Sequence, residues 1–396
     1  MVTKKERTRM PAIGAPKPAD LYSTRREIDY ILLGATLILV GIGLVMVFSA
    51  SYYSAMHSGN IYSYFSTQAL GAVLGLLAIY LFSTLTNYKL VSKFSKIFYL
   101  ISCALLVYVR LFGREINGAF RWIDIGPAGS AWFTFQPSEL MKVAVIVMLA
   151  VYINNNKERV FTFKGLAGYF LLAFIPMLLV LWGRNLSTAI IILAIAFVIY
   201  FLASPYFWRF IIFAAIPIGF IWAVLTFNLE RVFFGDVRGL RLETWQDPFL
   251  DPQGAGFQSI QSLFAVASGG LFGRGLGNSM QKMYYLPESQ NDFIFAIIVE
   301  ELGLFGGLII LGLFGVIVWR GIRAAINARD KLSLLIATGI TTMIAVQVII
   351  NVGVVTNTLP NTGIPMPFIS YGGTSIAVTM AAVGLLLNIT RYPKEN

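Results

Sequence analysis

Long apolar runs separated by short polar segments dominate the chain from residue 28 onward. A helix needs about 20 apolar residues to cross the hydrocarbon of a membrane. Ten runs approach this length and predict spans at residues 30–51, 64–84, 96–112, 139–154, 166–183, 187–204, 208–227, 293–319, 332–355 and 373–390. The pattern therefore predicts an all-α polytopic membrane protein of about ten transmembrane helices, with residues 28–391 as its transmembrane domain.

The two ends of the chain are polar. Residues 1–27 are basic and contain three prolines, so we expect a disordered cytoplasmic tail. The first apolar run is too long for the h-region of a cleavable signal and is expected to stay in the membrane. Residues 392–396 form a short second tail, which we also expect in the cytoplasm.

Lys and Arg residues are unevenly distributed between the connecting segments. Every connection predicted to be cytoplasmic carries at least one, whereas the predicted outer loops 52–63 and 356–372 carry none. This bias predicts that both termini are cytoplasmic. Two long loops then lie outside, at about 113–138 and, between helices 7 and 8, at about 228–292. Within the second, GFQSIQSLFAVASGGLFGRGLG predicts a surface-lying or re-entrant helix pair.

Composition agrees with a membrane protein and excludes several classes of site. The chain of 396 residues is 57% hydrophobic and 12% charged, about half the charge of a soluble domain. Its net charge of +11 suits basic loops facing anionic lipid, so we expect no nucleic-acid partner. Cys103 and His57 are each the sole residue of their type, which excludes an intrachain disulfide and argues against a His-rich metal site or a Ser-His-Asp triad. No cofactor is evident, and a divalent cation is possible without being indicated.

The first of four polar clusters on the predicted outer side comprises GAFRWIDIG and QPSELMK. Glu139 and Lys142 are three residues apart and share a helix face. One interpretation is an ion pair that makes two charges tolerable at the membrane, with Lys142 snorkelling. The other is a socket for a phosphate-bearing ligand, with Arg121 and Lys142 as cations and Glu139 as orienter. Gln136 and Ser138 belong to the same cluster.

The second cluster, GRNLSTA, begins the sixth predicted span. Asn185 is a good residue to cap that helix, and Arg184 is the only charge there. Pro137 suits the first turn of the fourth span, because no backbone N–H is needed there, and Gln136 is a possible cap of that helix. Helix capping and ligand binding both remain open for Asn185.

The third cluster places an acid at the start of the eighth span, in the stretch YLPESQNDFIFAIIVEELG. Asp292 has two interpretations: a helix cap favoured by the helix dipole, or a partly desolvated carboxylate that acts as a general base. Glu300 and Glu301 lie two turns deeper, where we expect them to hold neighbouring helices together.

The fourth cluster, NTGIPMPFISYGGTS, precedes the last span. Its prolines prevent a helix, and Gly372 and Gly373 permit close approach of another group to the backbone. Ser370 supplies a hydroxyl. The cluster is either an ordinary helix entry or part of a site shared with the other three.

Taken together, these blocks resemble the SEDS family of bacterial cell-wall proteins, which includes FtsW, RodA and SpoVE. RWIDIG, QPSELMK, GFQSIQSLFAVASGGLFGRGLG, YLPESQNDFIFAIIVEELG and PFISYGGTS match family blocks in the family's order. The similarity covers nearly the whole chain after the tail. VVTNTLPNTGIPMPFISYGG and GLFGRGLGNSMQKMYYLPE favour the FtsW and SpoVE branch, with a RodA-like relative as the alternative.

The resemblance implies a peptidoglycan glycosyltransferase that polymerises lipid II and releases undecaprenyl diphosphate on the outer face of the cell membrane, for septal synthesis in division or for spore cortex. It implies that Asp292 is catalytic and that Arg121, Glu139 and Lys142 are important for activity. We accordingly predict a substrate-binding set of Arg121, Gln136, Ser138, Glu139, Lys142, Ser370, Gly372 and Gly373. The implied partners are a class B penicillin-binding protein and other membrane proteins of the division complex.

One block departs from the family pattern. Where many relatives have P-D-L-G-T-A, this chain has RNLSTA, so that Asn185 replaces an aspartate and Ser187 a glycine. A mechanism that needs a second carboxylate there is therefore in doubt. Two other functions remain open: a lipid II flippase, which Glu300, Glu301, Gln347 and Asn351 would serve, and a non-catalytic division scaffold.

Overall fold

The computed structural model describes residues 27–57, 59–116, 119–125, 133–156, 159–160, 162–204, 245–254 and 256–393. Within these residues, nine helices are long and apolar enough to cross a membrane. They coincide with nine of the ten predicted spans and confirm a mostly helical, multi-pass membrane protein. The predicted seventh span, 208–227, and nearly all of the predicted N-terminal tail lie outside the described residues.

The helices are numbered here along the described chain. They are α1 (Tyr30–His57), α2 (Ser63–Tyr80, followed by a π-helical turn at Leu81–Leu85), α3 (Tyr88–Lys93), α4 (Ser95–Phe112), α5 (Pro137–Asn156), α6 (Phe163–Trp182), α7 (Leu186–Ala203), α8 (Phe257–Gly269), α9 (Ile294–Ile326), α10 (Lys331–Val355) and α11 (Gly373–Thr390). Of these, α3 and α8 are too short to span. A 3₁₀ turn at Pro248–Leu250 precedes α8.

Several helices begin where local sequence chemistry predicts. Asn185 caps α7, because its side chain accepts a hydrogen bond from the Thr188 N–H at 3.1 Å, and Pro137 is the first residue of α5. Asp330 and Ser333 form a reciprocal capping box at the start of α10. Burial raises the pKa of Asp330, but the hydrogen bonds from Ser333 outweigh burial and leave this pKa below its usual value.

The loop between α4 and α5 contains a small antiparallel sheet that the sequence analysis did not predict. Its strands are β1 (Arg114–Ile116), β2 (Ala119–Ile125) and β3 (Phe133–Phe135), in the order β1-β2-β3. Strands β1 and β3 have only three residues each, which is too short for an alternating hydrophobic pattern to predict them. Both pair with the longer β2. The sheet positions Arg121 of β2 at the end of the bundle where α4 ends and α5 begins.

The longest helix, α9, is broken at Gly303, where φ is 72° and ψ is −176°. The segment 270–275, which follows α8, packs against this break and pairs with the backbone groups that the break exposes. The four bonds are Leu304 N–H to Gly270 O (2.9 Å), Phe305 N–H to Leu271 O (3.2 Å), Arg274 N–H to Glu300 O (3.0 Å) and Gly275 N–H to Glu301 O (3.0 Å). Broken helices within membrane proteins need such replacement partners.

This arrangement corrects the predicted helix pair in GFQSIQSLFAVASGGLFGRGLG. The first half forms α8, but the prediction of a second helix is wrong, because residues 270–277 form turns. The backbone groups of 270–275 are used to pair with α9 and therefore do not form helical bonds of their own.

Glycines bring α2 and α11 into close contact. A Cβ atom on Gly71 would lie 2.5 Å from the Gly373 carbonyl oxygen, and one on Gly75 would lie 2.4 Å from the sulfur of Met380. Small residues at such crossings let membrane helices approach closely. The contact fixes the start of α11, and with it the fourth polar cluster, against α2.

Candidate active site

The segment 361–372, between α10 and α11, is where the polar clusters meet. The side-chain amide of Asn351, on α10, donates to a carbonyl of this segment at 2.7 Å and to the backbone carbonyl of Asp292 at 2.8 Å. Ser187, in the first turn of α7, donates to the carbonyl of Thr362. The starts of α7 and α9 and the last turns of α10 are thereby joined at one end of the bundle, which we call the Asp292 end.

Asp292 is half-buried and lies two residues before the first residue of α9. The N-cap residue of α9 is Phe293, and no side-chain capping bond is made there. The Asp292 carboxylate instead faces Gly363: its Oδ2 lies 3.0 Å from the position that a Cβ on this glycine would occupy. Gly363 has a φ of +68°, a conformation that favours glycine. The carboxylate therefore lies against the backbone of residue 363, where a glycine leaves room for it and a side chain would not.

Ser370 fixes the residues that precede Asp292. Its hydroxyl donates to the carbonyl of Asn291 at 2.6 Å and accepts a hydrogen bond from the Met366 N–H at 2.7 Å. The neighbouring Tyr371 N–H donates to the carbonyl of Gln290 at 2.9 Å, and burial raises the pKa of the Tyr371 hydroxyl. Ser370 thus positions the acidic segment by binding backbone groups.

A residue that the sequence analysis missed, Gln68 of α2, supports the same turn. Its amide donates to the Ser370 carbonyl at 3.1 Å and accepts from the Gly372 N–H at 2.9 Å. Gln68 is fully buried, so both ends of its amide are satisfied within the protein. The available signal was a glutamine in an otherwise apolar span. Gly372 and Gly373 accordingly serve a tightly held turn between α2 and the Asp292 end.

Glu139 and Lys142, on α5, form a buried ion pair with 2.9 Å between Nζ and Oε1. The side chains are 3% and 2% exposed, so the predicted pair is present but the predicted snorkelling of Lys142 is wrong. Ser375 of α11 donates to the other carboxylate oxygen of Glu139 at 3.0 Å. Because a buried carboxylate needs such partners, the hydrogen bond from Ser375 to Glu139 holds α5 against the start of α11.

Gln136 and Ser138 connect the sheet to the same helix start. The Gln136 amide donates to the Ser138 hydroxyl at 3.1 Å, and the Gln136 N–H donates to the Thr374 hydroxyl at 3.3 Å. Thr374 in turn donates to the carbonyl of Thr134, in β3, at 2.6 Å. The first and fourth polar clusters therefore form one continuous hydrogen-bonded region.

Arg121 links the first cluster to the second. Its guanidinium donates to the carbonyl of Arg184 at 2.7 Å and, with Ser138 and Asn185, lines a small cavity. The second cluster reaches the 361–372 segment through Ser187, as described above. The four clusters are thus joined around that segment, with a carboxylate on one side and a guanidinium on another. This arrangement can bind an anionic group and accept a proton.

Comparison with known protein families shows to which family the chain belongs. The FtsW/RodA/SpoVE family of cell cycle proteins matches residues 30–395. The chain belongs to this family. Stage V sporulation protein E of Bacillus subtilis (strain 168) is 40% identical over 371 residues, covering 92% of this chain and 98% of that protein. A probable peptidoglycan glycosyltransferase FtsW of Geobacter metallireducens is 36% identical over 375 residues, covering 92% and 95%.

Solved structures of the family have the same fold. A chain in a structure that concerns the structural coordination of polymerization and crosslinking by a peptidoglycan synthase complex matches with a TM-score of 0.73 and 28% identity, over 92% of this chain and 98% of that one. The rod shape determining protein RodA of Thermus thermophilus matches with a TM-score of 0.65 and 26% identity, over 93% and 98%. The predicted FtsW/RodA/SpoVE membership is confirmed.

In this FtsW/RodA/SpoVE protein, Glu300 and Glu301 hold neighbouring segments together, as expected. Glu301 binds Lys282 at 2.7 Å and Ser49 of α1 at 2.8 Å. Glu300 accepts hydrogen bonds from the Ser279 hydroxyl at 2.5 Å and from a backbone N–H of the same segment. Lys282 belongs to the loop predicted at about 228–292 and is buried with Glu301 as its acidic partner.

The described residues contain no group of three or more His, Cys, Asp and Glu side chains that could hold a metal ion. The charged side chains that the clusters contribute include the Asp292 carboxylate, which can accept a proton, and the Arg121 guanidinium, which can bind an anion.

Proposed function

We propose that this protein is a peptidoglycan glycosyltransferase that polymerises lipid II into glycan strands and releases undecaprenyl diphosphate, for septal synthesis in cell division or for spore cortex. The relatives that bear the name peptidoglycan glycosyltransferase support this proposal. The observation that carries it is the position of the Asp292 carboxylate, which faces Gly363 at the junction of all four polar clusters.

Asp292 is proposed as the general base. A sugar hydroxyl of one substrate attacks the anomeric carbon of the other, and its proton passes to the Asp292 carboxylate. A new C–O bond forms as the bond between the anomeric carbon and the diphosphate oxygen breaks, and the diphosphate takes that electron pair. Base catalysis of this kind contributes roughly 10²–10⁴-fold in rate.

The leaving diphosphate needs cations more than it needs a proton. Arg121 is proposed to bind it, since a guanidinium forms paired hydrogen bonds with phosphate oxygens. Glu139 and Lys142 are proposed to act on the substrate together, because their side chains form an ion pair. Gln136, Ser138, Ser370, Gly372 and Gly373 are proposed to shape the substrate site by fixing its backbone, as their hydrogen bonds support.

The Asp292 end is proposed to face outward, which would place a lipid-linked substrate and basic side chains such as Arg121 on the same side. A cysteine at the exposed position 60, as Asn60→Cys in a Cys103→Ser background, tests this orientation. An impermeant thiol reagent should label it in intact cells. Labelling that requires permeabilised cells would reverse the orientation.

The proposed partners are a class B penicillin-binding protein, which crosslinks the new strands, and other membrane proteins of the division complex. The match to a chain of a peptidoglycan synthase complex supports such pairing. Three of the four polar residues that kept the flippase alternative open have structural contacts, whereas the amide of the fourth, Gln347, is buried without a hydrogen-bond partner among the described residues. Glu300, Glu301 and Asn351 all hold neighbouring segments in this structure.

Strand formation from labelled lipid II tests the proposal. Purified protein, alone and with its class B penicillin-binding protein, should form strands, and Asp292→Asn should not. Glu115→Gln, which removes an exposed carboxylate on β1, is the matched control and should resemble wild type. If an intact wild-type complex forms no strands, the protein is not a polymerase, and transport of lipid II becomes the function to test.

A further inference from the structure

A groove runs beside α8, apart from the polar clusters described above. Its cavity has a volume of about 600 Å³, within the range of ligand-binding sites in proteins. One wall is a face of α8, the other is the segment 280–285, and Arg274 and Glu300 lie at one end. The lining residues used below are Gln261, Phe264, Arg274, Met280, Gln281 and Tyr285. We call this feature the α8 groove.

The length of α9 indicates the level of this groove along the helix bundle. α9 has 33 residues, about 50 Å at 1.5 Å per residue, whereas the hydrocarbon takes about 20 residues. Trp319, with Arg323 stacked on its ring, marks one membrane interface. Counting about 20 residues back from Trp319 reaches Glu300. The turns of α9 before Glu300 are buried within the protein, and the groove beside them lies between this level and Asp292.

Both walls of the groove lead toward Asp292. At the start of α8, Gln258 accepts a hydrogen bond at 2.8 Å from Asn361, two residues before the glycine that the Asp292 carboxylate faces. The opposite wall continues along the chain from Tyr285 directly to Asp292. The α8 groove thus extends from Arg274 toward the proposed base.

The lining combines aromatic faces with amide and guanidinium groups. Phe264 and Tyr285 are 51% and 54% exposed, which leaves ring surface open to a ligand. Gln261 and Gln281 add side-chain amides to the lining, and an amide offers both a donor and an acceptor. Arg274 is partly exposed and lies 3.9 Å from Glu300.

Sugar rings match this lining. Their C–H faces pack on aromatic rings, and their hydroxyls donate to and accept from amides and guanidinium groups. A lipid chain would leave the amide and guanidinium groups unpaired.

We propose that the α8 groove binds an oligosaccharide of β-linked amino sugars, namely the glycan strand as it grows away from Asp292. This inference rests on the proposed function. In the polymerisation reaction, the groove would hold the strand next to the base between successive additions and so increase strand length.

A binding experiment that needs no catalysis tests the groove separately from the polymerase. The probe is a soluble tetrasaccharide of alternating N-acetylglucosamine and N-acetylmuramic acid, titrated against full-length Asp292→Asn protein in detergent. Binding should weaken roughly tenfold when Tyr285→Ala or Arg274→Gln is added, as expected for loss of about one good contact. Tyr62→Ala, which removes an exposed aromatic residue outside the groove, is the matched control and should not change binding.

The outcomes separate the two ideas. If the fragment does not bind, or binds Tyr285→Ala and Tyr62→Ala proteins equally while both unfold at the wild-type temperature, the groove inference is wrong. If the groove variants instead change association with phosphatidylglycerol nanodiscs, the groove is a lipid headgroup site and the inference is again wrong. If the tetrasaccharide binds in the groove but wild-type protein in its intact complex makes no strands from lipid II, the polymerase proposal is wrong while glycan binding by the groove stands. In an active protein, the two groove variants should shorten strands several-fold.

Discussion

Replacing Lys282 with methionine should strongly destabilise the protein. Lys282 and Glu301 are 3% and 0% exposed and lie 2.7 Å apart, and Ser49 contacts both. Without the ammonium group, the Glu301 carboxylate stays buried with only a hydroxyl donor among these partners. Breaking a buried pair in this way costs about 3–5 kcal/mol, because the remaining charge is uncompensated.

Thermal unfolding in detergent measures this cost. At roughly 2 °C per kcal/mol for a large chain, the midpoint of Lys282→Met should fall by roughly 6–10 °C. Adding Glu301→Gln should recover most of the loss, because an uncharged amide can still bond to Ser49. Lys96→Met, which removes an exposed lysine of α4, should shift the midpoint by less than about 1 °C. A loss below about 1 kcal/mol in Lys282→Met, or a double variant no more stable than the single one, would show that Lys282 does not compensate a buried Glu301 charge.

Three further variants test other parts of the structure. Gly303→Ala should abolish folding, since its Cβ would lie 2.4 Å from backbone atoms of the segment packed against α9. Gly312→Ala, in the same helix, places its Cβ in open space and should leave the unfolding midpoint unchanged or higher. Gly363→Ala should slow strand synthesis more than Gly277→Ala, because both glycines have positive φ but only the first contacts the proposed base. Asp330→Asn should lower the unfolding midpoint at neutral pH and have little effect below the lowered pKa of the carboxyl, since the added stabilisation requires the ionised form. Unfolding midpoints measured against pH check this.

The nine described spans were predictable because each depends on its own run of apolar residues. The same holds for the Asn185 cap and for Pro137 in the first turn of α5, where one to four neighbouring residues decide the structure. Such features need no knowledge of distant parts of the chain.

The break in α9 could not be predicted, because VEELGLFGG continues an apolar helical pattern. Gly303 leaves the helix only because residues 270–275 supply hydrogen bonds to the exposed backbone groups. The role of Gln68 depends in the same way on residues about 300 positions later. The sequence identified the four polar clusters, whereas their convergence on the 361–372 segment required the tertiary structure.

The rate of a single glycosidic bond formation tests the role of Asp292 most directly. Wild-type and Asp292→Asn proteins would be mixed with saturating labelled lipid II, and the first coupling followed in a rapid-quench experiment, with lipid II binding measured separately. If Asp292 is the general base, we expect the coupling rate of the variant to be roughly 10²–10⁴-fold lower, with little change in lipid II binding. A variant that couples lipid II at the wild-type rate would show that Asp292 is not the base.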